Sequence, residues 1–151
     1  MVRAWSAADS EAASRWRYDE RWSVYDQRAD HPPANGRRAI VSAADGRLVG
    51  FYCLGDDARV PGLVADESVV DLGVGMAPEF VGRGHGEEFA LTVLDDVRRR
   101  FPATSVRAVV QAWNSRSLAL ARRLGFIASG AHRCRQNGGE VTYTLLIRQD
   151  G

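Results

Sequence analysis

The period of hydrophobic and polar positions changes several times along the chain, and each change predicts an element. Arg38 to Ser42 and Leu48 to Leu54 are β-rich runs separated by Asp45-Gly46, which is a hairpin signal. Ser68 to Met76 predicts a further strand, with Val70, Leu72, Val74 and Met76 on one face and Asp71, Gly73 and Gly75 on the other. From Gly84 onward the period becomes helical. Phe89, Ala90, Val93, Leu94 and Val97 recur on one face, Arg98 to Arg100 place cations in the last turn, and Pro102 stops the run. Val106, Ala108, Val110 and Ala112 alternate as a strand; Asn114 or Ser115 then caps a second helix, which Gly125 ends as a left-handed residue. Ala131 to Gln136 and Val141 to Ile147 predict a closing hairpin around Asn137-Gly138-Gly139.

The N-terminal third reads differently. Ser6 with Asp9 three residues on predicts a capping box that opens a short helix, and the aromatic and charged segment Trp16 to Tyr25 continues as helix. Gln27 to Gly36, with His31-Pro32-Pro33 and Asn35-Gly36, has turn chemistry throughout, and Gly55 to Asp66 predicts another loop. Trp16, Tyr18, Trp22 and Tyr25 sit among Asp19, Glu20 and Asp26. They are either the core-facing aromatics of an amphipathic helix or a wall suited to a cationic amine, with Trp22, Tyr25 and Asp71 as acceptor-binding candidates. The order strand, helix, strand, helix from Ser68 to Leu124 implies a right-handed crossover between parallel strands. The glycine-rich turn 82–86 and Asn114 then both fall at the carboxyl ends of those strands, where α/β sheets bind ligands, and the glycines beside Asp71 suggest an open trough.

Length and composition narrow the classes. A chain of 151 residues, 45% hydrophobic, is expected to form a single domain over 1–151. A net charge of +1 disfavours generic nucleic-acid binding. Cys53 and Cys134 match no metal-ligand spacing and form no disulfide framework, so a reducing, cytoplasmic compartment is expected, with no bound metal. No apolar run is long enough to cross a membrane and no leader or lipidation signal is present, so no membrane partner is expected. All 20 basic residues are arginine. The absence of lysine excludes Schiff-base chemistry and the phosphate loop of nucleotide triphosphatases, both of which need a lysine amine.

Gly82-Arg83-Gly84-His85-Gly86 enters a helix, so its N–H groups face the positive end of the helix dipole, an arrangement that suits a phosphate or pyrophosphate. Its glycines lack the two-residue gap of the dinucleotide fingerprint, which makes a dinucleotide-binding domain the weakest reading. Met76-Ala77-Pro78, Val81 to Gly86, and Asn114-x-x-Ser117 through Arg123-Leu124-Gly125-Phe126 together resemble the acetyl-CoA signatures of the GNAT superfamily of N-acyltransferases. Asp71-Leu72-Gly73 adds a likeness to its ribosomal-protein N-terminal acetyltransferase branch.

The resemblance implies an α/β (α+β) fold: a mixed, mostly antiparallel sheet of about six to seven strands, with a splayed parallel central pair and flanking helices. It implies acetyl-CoA as cosubstrate, bound through Met76, Ala77, Val81, Gly82, Arg83, Gly84, His85, Gly86, Asn114, Ser117 and Arg123. The acceptor would be a primary amine of a small molecule or a peptide N-terminus, and the protein a monomer or homodimer. Val81 departs from the usual Gln or Arg. Ala121 stands where many members carry a tyrosine acid, so the acid is open between water and Ser117. An amine of reference pKa about 10.4 must lose a proton before attack, for which Asp71 is the first candidate and Glu67 the second. The alternative is a catalytically silent acyl-CoA-binding module. His85 is expected to act through its backbone, and His31 and His132 to be ordinary loop or surface residues.

Overall fold

The computed structural model describes residues 1–26 and 36–149. The strands are β1 (Val2–Ala4), β2 (Arg38–Val41), β3 (Leu48–Leu54), β4 (Val69–Met76), β5 (Ser105–Gln111), β6 (Ile127–Gln136) and β7 (Gly139–Arg148); the α-helices are α1 (Ala7–Ser14), α2 (Gly86–Arg100) and α3 (Ser115–Arg123). The strands form one mixed sheet in the order β1-β2-β3-β4-β5-β7-β6. β4 and β5 are parallel, Val69 to Leu72 lying against Ser105 to Ala108, whereas β1 with β2, β2 with β3, β5 with β7 and β6 with β7 are antiparallel. The chain divides into two compact units, Met1–Cys53 with Val74–Leu94 and Leu54–Gly73 with Asp95–Gly151.

The first unit is organised around Phe51 on β3. Trp16 stacks on its ring at 6.2 Å, Trp5 meets it edge-on at 5.6 Å, and the Arg37 guanidinium lies 3.9 Å from its centroid. Ala39, Ile40, Val41, Tyr52 and Phe89 are buried around the same strands. Each such large apolar side chain contributes about 1.5–3 kcal/mol. The Ser6–Asp9 capping box forms as expected: the Ser6 hydroxyl accepts the Asp9 N–H, and the Asp9 carboxylate accepts the Ser6 N–H. Arg3 adds two bonds to the same carboxylate, at 2.6 and 2.9 Å. β1 was missed by the pattern because three residues are too few to show a period, and its partner β2 lies far along the chain.

Two further expectations are corrected here. The aromatic segment is not a continuous helix: α1 stops at Ser14, and only Glu20–Tyr25 winds again, as 3-10 helix. Val74, expected on the core face of β4 with Leu72, is 55% exposed. The loop expected at Gln27 to Gly36, including His31, lies outside the described residues except for Gly36.

The second unit closes its elements with local signals. The Asn114 side chain caps α3 by accepting the Ser117 N–H. At the other end, Gly125 has φ +92°, its N–H donates to the Arg122 carbonyl, and Phe126 donates to Ala121. Those two bonds make the Schellman motif, and the buried Phe126 supplies its apolar contact. Asn137 and Gly138 turn the final hairpin, both with positive φ, as the Asn-Gly pair requires. β6 starts at Ile127, four residues before the alternation suggested, because a register shift between Ala128 and Gly130 breaks the period there.

Candidate active site

In the first unit β4 ends at Met76, and Pro78–Phe80 forms a 3-10 turn that leads through Val81 into the glycine turn. Gly82 and Gly84 have φ +74° and +84°, a region that side chains rarely adopt, and no heavy atom lies within 4 Å of where a Cβ would stand. Gly82, Arg83, Gly84 and His85 are exposed. The first α2 bond runs from Phe89 N–H to the His85 carbonyl, so the amides of Gly86, Glu87 and Glu88 precede the helical ladder. An open, unobstructed run of amides at the positive end of a 15-residue helix has the form needed to take a pyrophosphate. The His85 ring packs edge-on against Phe80 at 5.8 Å. Glu79, next to this turn, pairs with Arg47.

Just before that turn the backbone of β4 is fully engaged. The Ala77 N–H donates to the Val49 carbonyl at 2.7 Å, and the Met76 carbonyl accepts the Tyr18 hydroxyl at 2.5 Å. Tyr18 was not singled out from sequence beyond its aromatic character; no spacing rule relates it to Met76, 58 residues later. Burial raises the Tyr18 pKa, with the Asp26 carboxylate adding to the effect, so the phenol keeps its proton. Of the acceptor candidates, Trp22 and Tyr25 are both half-buried, and Tyr25 meets Tyr18 edge-on at 6.5 Å. Trp16, stacked on Phe51, belongs to the core.

The expected trough beside Asp71 is corrected on two counts. A Cβ at Gly75 would lie 2.3 Å from the Phe51 ring, so that side of the strand is filled by an aromatic rather than open to a ligand. In the second unit Asp71 is only 5% exposed and accepts Arg107 Nε at 2.6 Å, Arg107 Nη2 at 3.1 Å and Arg59 Nη1 at 2.8 Å. A carboxylate held by two guanidiniums has no lone pair directed at an incoming amine. Arg107 also reaches the Val64 carbonyl at 3.0 Å, and its pKa is raised, chiefly by the bond from Asp71. Arg59 bridges onward to Asp56. Glu67 is exposed in the turn before β4 and makes no ion pair among the described residues.

Asn114 is buried at the N-terminus of α3. Ser117 is half-buried, and its hydroxyl makes no hydrogen bond among the described residues; Arg123 is exposed in the last turn. His132 contacts the Pro61 carbonyl through Nε2 at 2.8 Å, a partner invisible in the sequence. Both cysteines are free thiols. Among the described residues there is no group of three or more His, Cys, Asp or Glu placed to hold a metal, and no helix long and apolar enough to cross a membrane.

A mixed seven-stranded sheet with a parallel central pair, followed by a glycine turn at a helix start, defines an acyl-CoA-type transferase scaffold. Residues 1–127 match the family model described as the acetyltransferase (GNAT) domain, and the chain belongs to that family. It is an acetyl-CoA-dependent N-acetyltransferase. No curated protein matches the chain.

Solved structures share the fold at low identity. A chimera of the spermidine N-acetyltransferase SpeG of Vibrio cholerae with hSSAT is 17% identical, covers 99% of this chain and 96% of its own, and has a TM-score of 0.73. A yncA acetyltransferase candidate of Salmonella typhimurium, solved with its cofactor acetyl-CoA, is 18% identical over 100% and 94%, with a TM-score of 0.67. A ribosomal-protein alanine N-acetyltransferase of Escherichia coli is 14% identical over 100% and 94%, with a TM-score of 0.65.

Proposed function

We propose that residues 1–151 act as one N-acetyltransferase domain that carries an acetyl group from acetyl-CoA directly to a primary amine, of a small molecule or a peptide N-terminus. The observation that carries this reading is the glycine turn 82–86, open at Gly82 and Gly84 and leading straight into α2. On this reading Gly82 to Gly86, framed by Val81, present amides to the pyrophosphate, and the exposed Arg83 adds a cation. Met76 and Ala77 flank the thioester, and Asn114, Ser117 and Arg123 serve the remainder of the cosubstrate. Trp22 and Tyr25 are assigned to the acceptor side.

The neutral amine attacks the thioester carbon, a C–N bond forms, the carbonyl oxygen takes negative charge, and the C–S bond then breaks. The amine proton passes to water or to Glu67, which is the free carboxylate now that Asp71 is committed to arginines. The departing thiolate is protonated by water or by Ser117; with a reference pKa of about 8.5 it leaves tolerably near neutrality. A backbone amide near Met76 faces the developing oxyanion. The Ala77 amide is already bonded to Val49, which leaves the Met76 amide as the donor of choice.

Calorimetric titration with acetyl-CoA, with NAD and ATP as controls, followed by thiol release with a panel of primary amines, tests the reading. Selective acetyl-CoA binding with amine-dependent thiol release supports it. Tight binding without turnover on any amine would favour an acyl-CoA-binding module, and no binding would end the cosubstrate assignment.

A further inference from the structure

We propose that Tyr18 is a positioning residue for acetyl transfer: its hydroxyl fixes the Met76–Ala77 peptide, and thereby holds the Met76 amide toward the thioester oxygen. The inference rests on the acetyltransferase reading above and extends it to a side chain outside every motif. Both polar ends of one peptide group are held, the Ala77 N–H by the Val49 carbonyl at 2.7 Å and the Met76 C=O by the Tyr18 hydroxyl at 2.5 Å. In a planar trans peptide these two groups point in opposite directions, so the Met76 carbonyl faces away from β3. Met76 is a strand residue, and the N–H and C=O of an extended residue lie on the same side. The Met76 amide therefore faces away from β3 as well, on the side where Tyr18 stands.

The residue before Met76 gives the clamp a purpose. Gly75 is the most permissive type of residue in φ and ψ, and Phe51 occupies the place of its missing side chain. Nothing on Gly75 itself can hold the peptide that carries the Met76 amide, so the restraint has to come from the following peptide. Tyr18 is in turn fixed: its N–H donates to Asp26 Oδ1 at 2.9 Å, and Tyr25 packs edge-on against its ring. The phenol keeps its proton and so remains a donor, which separates this role from that of an acid for the thiolate.

The test is the infrared band of the acetyl carbonyl in acetyl-CoA carrying 13C at that carbon, bound to wild-type protein and to Tyr18→Phe. Affinity and thermal melting are measured on the same samples. In the wild type the band is expected to fall in frequency and narrow, as a carbonyl does on meeting a fixed donor. In Tyr18→Phe it is expected to broaden and return at least halfway to the free-ligand position, with Kd unchanged within about twofold. The kcat should drop by on the order of tenfold, less than the roughly 100-fold or more seen when an oxyanion donor is deleted outright. A purely structural role would lower the melting temperature and weaken affinity without moving the band. A wild-type band in Tyr18→Phe overturns the proposal, as does an unshifted band in wild-type protein that binds acetyl-CoA. If wild-type protein binds no acetyl-CoA, the acetyltransferase reading itself falls. Should Tyr18→Phe fold poorly, 3-fluorotyrosine at position 18 keeps the ring and donates more strongly. It should preserve or deepen the shift, and a return to the free-ligand band would overturn the proposal.

Discussion

Asp71 and Arg107 are register partners on the parallel strands β4 and β5, and their side chains are joined by two hydrogen bonds, at 2.6 and 3.1 Å, with both residues under 10% exposed. Removing one member of such a pair leaves a buried charge short of its partner, so Arg107→Met should cost about 3 kcal/mol. Replacing both, as Asp71→Leu with Arg107→Met, should recover most of the loss. Urea denaturation of the two variants measures the difference. At a temperature where Asp71→Asn remains folded, its kcat should stay within about tenfold of wild type; a loss of 100-fold or more would return Asp71 to the role of proton acceptor.

Gly84→Glu places both a Cβ and a carboxylate in the glycine turn. The space is open, so the fold should lose only the cost of a side chain at φ +84°, about 1–2 kcal/mol. The added charge opposes a pyrophosphate, and acetyl-CoA affinity should fall by well over about tenfold. Calorimetry alongside circular dichroism separates the two effects, and normal binding by the folded variant would remove the cosubstrate from this turn.

Gly75→Ala tests the packing of β4 against Phe51. The new Cβ would meet the ring at 2.3 Å, and overpacking of this kind costs about 1–3 kcal/mol. Combining Gly75→Ala with Phe51→Leu should restore part of it, because the smaller side chain vacates the site. Thermal melting of the single and double variants gives the coupling.

Acid should weaken the N-terminal cap. The Asp9 pKa is lowered, first by its bonds from Arg3 and further by those from Ser6. A carboxylate with a lower pKa in the folded chain stabilises the fold above its unfolded value, about 3.9, and that contribution disappears as pH falls through the folded value. Arg3 is 41% exposed, so solvent screens the pair, and the combined cap and ion pair should be worth about 1–2 kcal/mol. The melting temperature of Asp9→Asn should lie below that of wild type at pH 7, and the two should converge below about pH 3. Parallel curves over the whole range would contradict the assignment.

Most of the architecture was legible because its signals are local. The helical period of Phe89 to Val97, the Asn114 cap, the Gly125 stop and the Asn137-Gly138 turn each depend on residues within a few positions of one another. What escaped was nonlocal. The Tyr18 bond to Met76 spans 58 residues, and Arg107 reaches Asp71 across 36. Period-two alternation placed Asp71 and Gly75 on one face, but not what would face them; Phe51 and two arginines arrive from other segments and close the space. The Trp16 to Tyr25 segment misled because aromatics recur there at roughly helical intervals, while Phe51 and the Met76 carbonyl hold Trp16 and Tyr18 in place outside α1.

The charge network around Asp71, like the Arg3–Asp9 and Arg47–Glu79 pairs, is built with guanidinium in every case. Guanidinium stays protonated at any pH where the protein works, so it offers no free electron pair to an activated thioester. Lysine in the same places would be open to slow self-modification by the protein's own acyl donor, and each event would erase a cation that the fold depends on. With 20 arginines and no lysine, no side chain of this chain can compete with the acceptor for acetyl groups as an amine, and its ion pairs are immune to the chemistry it performs.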